Sequence, residues 1–94
     1  MRKNNQQHGN KDLEALGDAI RNRRVDLELT QEGLAEHALL HRTYVTDLEN
    51  GLRNTSYLTL LRIAQGLRCS LSILISSAEI ERLALAPKKL PDKS

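Results

Sequence analysis

The stretch LAEHALLHRTYVTDLENG, residues 34–51, has no Gly or Pro between its ends, and local propensity alone reads it as one long helix. Its phase argues otherwise. At about 100° per residue, Leu34, Ala38, Val45 and Leu48 share one face of a continuous helix. His41 would then sit within about 20° of the centre of that apolar face, while Leu39 and Leu40 would point about 120–140° away from it. A straight helix therefore solvates two leucines and buries an imidazole. A bend at Leu39–Leu40 repairs both faults. Leu40 turns inward, and His41 becomes the N-cap of a new helix, its side chain near the orphan N–H groups. Leu39 then occupies the left-handed position usually given to Gly, at a cost of about 1 kcal/mol or more. Two helices meeting at a sharp turn are the expectation.

The whole chain points the same way. Its 94 residues suffice for one small domain with a single core. Hydrophobic residues make up 39%, yet Phe and Trp are absent and Tyr44 and Tyr57 are the two aromatic side chains. Eighteen leucines, against five isoleucines and two valines, must supply most of the burial, and that favours helix over sheet. No run alternates cleanly with period two, so an all-α fold is expected. The single Cys69 cannot form an internal disulfide, the N-terminus does not resemble a signal peptide, and no apolar run approaches the ~20 residues that span a bilayer. The expected compartment is the cytoplasm, with no membrane partner. A net charge of +2 says little about partners until its distribution is known.

Residues 1–11, MRKNNQQHGNK, are polar and read as a flexible arm, and residues 87–94 read as a flexible Pro/Lys tail. Residues 12–76 form the expected domain. Asp12 is the expected cap of a first helix with Leu13, Leu16, Ile20 and Leu27 as its stripe, and Thr30 caps a second from Gln31. Ser56 opens the helix that buries Leu60, Ile63, Ala64 and Leu67, and Ser70 caps the short LSILI. Ser76 with Glu79 makes a capping-box pattern for an additional helix over 77–86.

At this point the residues carry a resemblance. LTQEGLAEHALLHRTYVTDLENG resembles the helix-turn-helix of the phage-repressor (Cro and lambda-repressor-like, XRE-type) family. LGDAIRNRR before it and RNTSYLTLLRIAQGL after it resemble the family's first and fourth helices, so the similarity runs from Leu16 to about Ile75. Gln31, Ala35, Glu49, Asn50 and Gly51 fall at positions the motif specifies. Leu39 in place of the turn Gly, His41 in place of the usual Ser/Thr cap and Thr55 where Pro is frequent depart from it. The resemblance implies a compact five-helix lambda-repressor-like DNA-binding domain, here with an additional C-terminal helix, in a sequence-specific transcriptional regulator.

In such a fold the second helix of the pair, from Arg42 to Asn50, lies in the major groove with its early residues facing base edges. Val45 and Leu48 face inward, which turns Arg42, Thr43, Thr46 and Asp47 outward as the expected base contacts. The resemblance itself marks positions 42, 43 and 47. Arg42 can donate two hydrogen bonds to guanine O6 and N7, worth about 1–3 kcal/mol of discrimination. Thr43 can offer its methyl to thymine or its hydroxyl to several acceptors, and Asp47 can accept from cytosine N4. Phosphate contacts are expected from Gln31 at a helix N-terminus, and from Asn50 and Arg53 just past the recognition helix. Tyr44 can bond a phosphate through its hydroxyl or simply pack. Arg2 and Lys3 on the arm can add sequence-independent attraction. In the family pattern Arg24 and Glu49 form a largely buried structural ion pair between the first and third helices.

A short recognition helix reads only a few base pairs, so a homodimer on a palindrome is implied. Ile73, Ile80 and Leu83, with Leu85, offer apolar surface beyond what a small core needs, which a partner subunit would cover; the alternative is that the last helix folds back on its own subunit. Glu32 and Glu36, four apart, match by resemblance the acidic face through which some family members touch RNA polymerase, or are a solvated surface pair. Two other readings share the same DNA-binding core: an antitoxin that neutralises a partner protein, and a restriction–modification controller protein. The i, i+4 pair His37 and His41 has the spacing of two metal ligands on a helix. The bend would separate them, so no metal or other cofactor is expected. No nucleophile–base set or phosphate-binding glycine loop is legible, and an enzyme is not expected.

Overall fold

Side-chain caps set where the helices of this chain begin. In the computed structural model, which describes residues 10–85, Asn10 Oδ1 accepts from the Leu13 N–H at 3.0 Å and Thr30 Oγ1 from Gly33 at 2.9 Å. Ser56 and Ser70 accept from Thr59 and Ile73, both at 3.2 Å. Each satisfies one orphan donor of a first turn. The five resulting helices are α1 (Lys11–Asp26), α2 (Gln31–Ala38), α3 (Arg42–Glu49), α4 (Tyr57–Gly66) and α5 (Leu71–Ala84), with no strand among the described residues. The first cap is Asn10 rather than Asp12, so Lys11 belongs to a helix and not to the polar arm. The rest of the arm, with Arg2 and Lys3, the tail over 87–94, and Ala86 at the end of the expected C-terminal helix lie outside the described residues.

The helices also end alike. Glu28, Leu39, Gly51 and Arg68 all have positive φ, between 58° and 75°. At each, the N–H reaches the carbonyl three residues back, and the next N–H reaches five back: Leu29 to Arg24 at 3.0 Å, Leu40 to Ala35 at 2.9 Å, Leu52 to Asp47 at 2.9 Å and Cys69 to Ala64 at 3.0 Å. These bonds satisfy the last carbonyls of α1 to α4. The opening stretch is therefore two helices, with Leu39 at φ 60° and ψ 45° as the hinge and its side chain 78% exposed. His41 is the N-cap of α3, but its imidazole makes no cap hydrogen bond. α3 thus starts on backbone geometry alone.

One expected boundary is absent. Ser76 and Ser77 lie inside α5, and LSILI and the additional C-terminal helix are a single element. Leu74 and Ala78, one turn apart, are both buried and carry the apolar stripe straight through the serines. The distal half is tied to α1 by Asn22 on Glu81 at 3.0 Å and Arg82 on Asp12 at 2.7 Å. α4 and α5 meet at 97°, and no single helix is long and apolar enough to cross a membrane. Ile20, Leu34, Val45, Leu48, Ile63 and Leu67 close the core together with Leu74. α1 packs on α3 as well as on α5, and at Gly17 the approach is too close for any side chain. An added Cβ would lie 2.5 Å from the carbonyl oxygens of Leu48 and Glu49.

Candidate nucleic-acid interface

α3 is held from behind. Val45 is 0% and Leu48 1% exposed, and Glu49 at its last position is 2% exposed. A buried carboxylate at a helix C-terminus is unfavourable twice over, by desolvation and by the helix dipole, so it must be paired. Arg24 supplies a bidentate partner, with Nε donating to Oε2 at 2.6 Å and an Nη to Oε1 at 3.0 Å. Arg21, three residues earlier on α1, donates to the Glu49 backbone carbonyl at 3.0 Å and so caps α3 directly. Gln31 Nε2 donates to Glu49 Oε1 at 2.9 Å. The ion pair expected from the family pattern is present, and it anchors α3 to α1 and α2. The hydrogen bond to Glu49 raises the Arg24 pKa above its ordinary value, with burial opposing and the Glu49 charge adding. The stability this brings is lost only as pH climbs through that raised value, so the guanidinium stays charged near neutrality.

What remains is the outward face. Arg42 and Thr43, at the start of α3, are exposed, and neither side chain has a hydrogen-bond or ion-pair partner among the described residues. Arg42 borders two open hollows of about 470 and 450 Å³, the second also lined by Glu32 and Glu36, so a cation and two carboxylates share one surface. The Arg42 guanidinium is thus solvated and projects from the first residue of α3.

The other expected contact residues are more occupied. Thr46 is half-buried rather than fully outward, and its hydroxyl, with one proton, lies 2.7 Å from Gln31 Oε1 and 3.1 Å from the Arg42 carbonyl. Gln31 therefore spends its amide inside the protein, on Thr46 and Glu49, and its backbone N–H, at the first position of α2, is one of that helix's orphan donors. The Tyr44 hydroxyl is 2.6 Å from Thr55 Oγ1, and its ring packs against the core. Arg53 lies over that ring, 4.6 Å from the centroid, with Nε 3.4 Å from the Asp47 carboxylate. Asn50 is exposed just past α3. Ile73, Ile80 and Leu83 are 53%, 67% and 75% exposed on α5.

Two residues on this framework are not singled out by the sequence: Arg21, and Arg62, whose Nε donates to the Ala38 carbonyl at 2.9 Å and steadies the end of α2 before the turn; Thr55 is marked there only as a departure from the motif, not as the partner of Tyr44. Arg21 had a visible signature, since it stands one helical turn before Arg24.

Residues 20–74 match the helix-turn-helix family HTH_3. The control protein C.MunI of a Mycoplasma species is 42% identical over 59 residues, which make up 63% of this chain and 80% of that protein. The clp gene regulator ClgR from Corynebacterium glutamicum superposes with a TM-score of 0.76 at 28% identity, covering 79% of each chain. The restriction–modification controller protein C.Esp1396I, solved as a tetramer with its natural 35-base-pair operator, superposes with a TM-score of 0.71 at 30% identity over 77% of this chain and 95% of that one.

Proposed function

This chain belongs to the helix-turn-helix family that its residues 20–74 match, and from that membership we propose a DNA-binding transcriptional regulator that reads a palindromic operator as a homodimer, with α3 in the major groove of each half-site. The carrying observation is the pair of exposed, unpartnered side chains Arg42 and Thr43 at the start of a helix whose far end is fixed by a buried ion pair. Arg42 donates to guanine, Thr43 contacts the neighbouring base, and Thr46 and Asp47 lie beside them. Phosphates are held by the Gln31 N–H, Asn50 and Arg53, and by Tyr44 if its hydroxyl leaves Thr55. Ile73, Ile80 and Leu83 form the apolar surface that a second subunit covers. The two copies would then present α3 helices about 34 Å apart. Its compartment is the cytoplasm, and Glu32 with Glu36 is its candidate contact to RNA polymerase.

The likeness to C.MunI and to C.Esp1396I favours one narrower reading, a restriction–modification controller protein. Endonuclease and methyltransferase genes beside its own would support it. A toxin-sized neighbour would favour an antitoxin that binds DNA and neutralises a partner protein.

Selection of bound duplexes from a random DNA library, run with wild type and Arg42→Ala, tests the main reading. Enrichment of a palindrome by wild type, with loss of a guanine preference in each half-site for the variant, supports it. Failure of wild type to enrich any sequence at moderate salt overturns it.

A further inference from the structure

Asp47 is an odd residue for a surface that meets phosphates. Its carboxylate lies on α3 one turn beyond Thr43, on the side that faces DNA in the reading above. There it would repel the backbone unless something offsets it. The offset is Arg53, in the loop after α3, whose Nε is 3.4 Å from Asp47 Oδ2. Arg53 is held from a second side by the Tyr44 ring, 4.6 Å from its guanidinium carbon, and Tyr44 is itself fixed by its hydroxyl's contact with Thr55 at 2.6 Å. Asp47 and Tyr44 stand three apart on α3, so together they form a seat for one cation. Both charged side chains remain open to solvent, Arg53 at 46% and Asp47 at 29%, so the pair can exchange partners.

We propose that Asp47 sets specificity by holding Arg53 away from non-specific phosphates rather than by reading a base. The proposal rests on the DNA-binding reading above and deepens it. Any phosphate that recruits Arg53 must compete with the Asp47 carboxylate and leave that carboxylate facing the DNA. Random sequence meets that cost wherever the protein lands. A cognate site, docked by Arg42 and Thr43, sets the backbone where Arg53 can bond a phosphate while the seat stays formed. Asp47 is thus a positioning residue that acts through Arg53, and its signature is a raised ratio of operator to non-operator affinity.

The test is a salt titration of binding to the selected operator and to a random-sequence duplex, with wild type, Asp47→Asn, Arg53→Met and the double variant. Arg53→Met keeps an apolar stem against Tyr44, and far-UV circular dichroism with a melting curve checks that each protein folds. Asp47→Asn is expected to strengthen non-operator binding by about two- to fivefold, the worth of an exposed ion pair, and to steepen its log–log salt slope by about 0.9, one phosphate contact. Operator binding should change less, so the ratio falls. In the Arg53→Met background, Asp47→Asn should leave the slope unchanged. An unchanged slope for Asp47→Asn, or the same change without Arg53, overturns the proposal and leaves Asp47 as a direct base contact or a bare charge. Wild type that binds neither duplex defeats the DNA-binding reading itself, an outcome distinct from either.

Discussion

Helix propensity and tertiary packing give opposite signs for Gly17→Ala, which makes it the sharpest probe of how α3 is mounted. In an open helix interior alanine is favoured over glycine by about 1 kcal/mol. Here the new Cβ would lie 2.5 Å from two carbonyl oxygens and 2.8 Å from the Glu49 carbonyl carbon, all backbone atoms that no rotamer change can clear. Ordinary carbon–oxygen contacts begin near 3.3 Å, so α1 and the end of α3 must separate by roughly 0.7–1 Å. Overpacking of this kind costs about 1–3 kcal/mol. The same movement stretches the Arg24–Glu49 hydrogen bonds, at 2.6 and 3.0 Å, toward the limit of hydrogen bonding. Weakening a pair whose full disruption costs about 3–5 kcal/mol more than cancels the propensity gain. The net expectation is a loss of about 1–3 kcal/mol, read by urea denaturation and as a fall in Tm of about 4–8 °C for each kcal/mol. Operator affinity should fall as well, because the displaced element carries Arg42. A Gly17→Ala protein as stable as wild type, or more stable, would refute the close mounting of α3 on α1.

Other expectations follow from the same contacts. Glu49→Ala leaves Arg24 without its carboxylate and should cost about 3–5 kcal/mol in denaturant titration, whereas Arg24→Met with Glu49→Leu should cost far less; equal losses would mean the pair contributes through packing alone. Ser70→Ala removes the cap of α5 and should cost about 1 kcal/mol, while Ser76→Ala, inside the helix, should change stability by less than about 0.5 kcal/mol. A reversal of that order would restore the helix boundary at residue 76. Ile80→Glu with Leu83→Glu, on exposed positions, should shift sedimentation equilibrium from dimer to monomer and weaken binding to a full palindrome more than to a half-site. An unchanged mass would place the dimer surface elsewhere.

Much of this molecule is legible in its sequence because much of it is local. Thr30, Ser56 and Ser70 cap the helices they precede, and the phase of Leu40 and His41 is enough to locate the bend, although Leu39, which the bend was also to shelter, stays 78% exposed. The left-handed turns at Glu28 and Arg68 carry no glycine to mark them. Their trace is the apolar residue that follows, Leu29 or Cys69, as Leu40 follows Leu39. The serines of α5 misled because a capping-box pattern is permissive, whereas the burial of Leu74 and Ala78 on α1 is a tertiary fact. Side-chain partnerships were the least legible part of the candidate site. Nothing local says that Gln31 turns inward to Glu49 and Thr46, or that Tyr44 and Asp47 share Arg53. Gly17 sits in an ordinary helical pattern, and only the arrival of α3 gives it a role.

In the proposed function α3 enters the major groove and Arg42 reads guanine there. Methylation interference at guanine N7 on the selected operator addresses it most directly, since N7 lies in the major groove and is an acceptor that Arg42 would use. Methylating one guanine in each half-site should block wild-type binding, and Arg42→Ala, already weakened, should be insensitive to the same modification. Wild-type binding that tolerates methylation at every guanine N7 of its operator would contradict it.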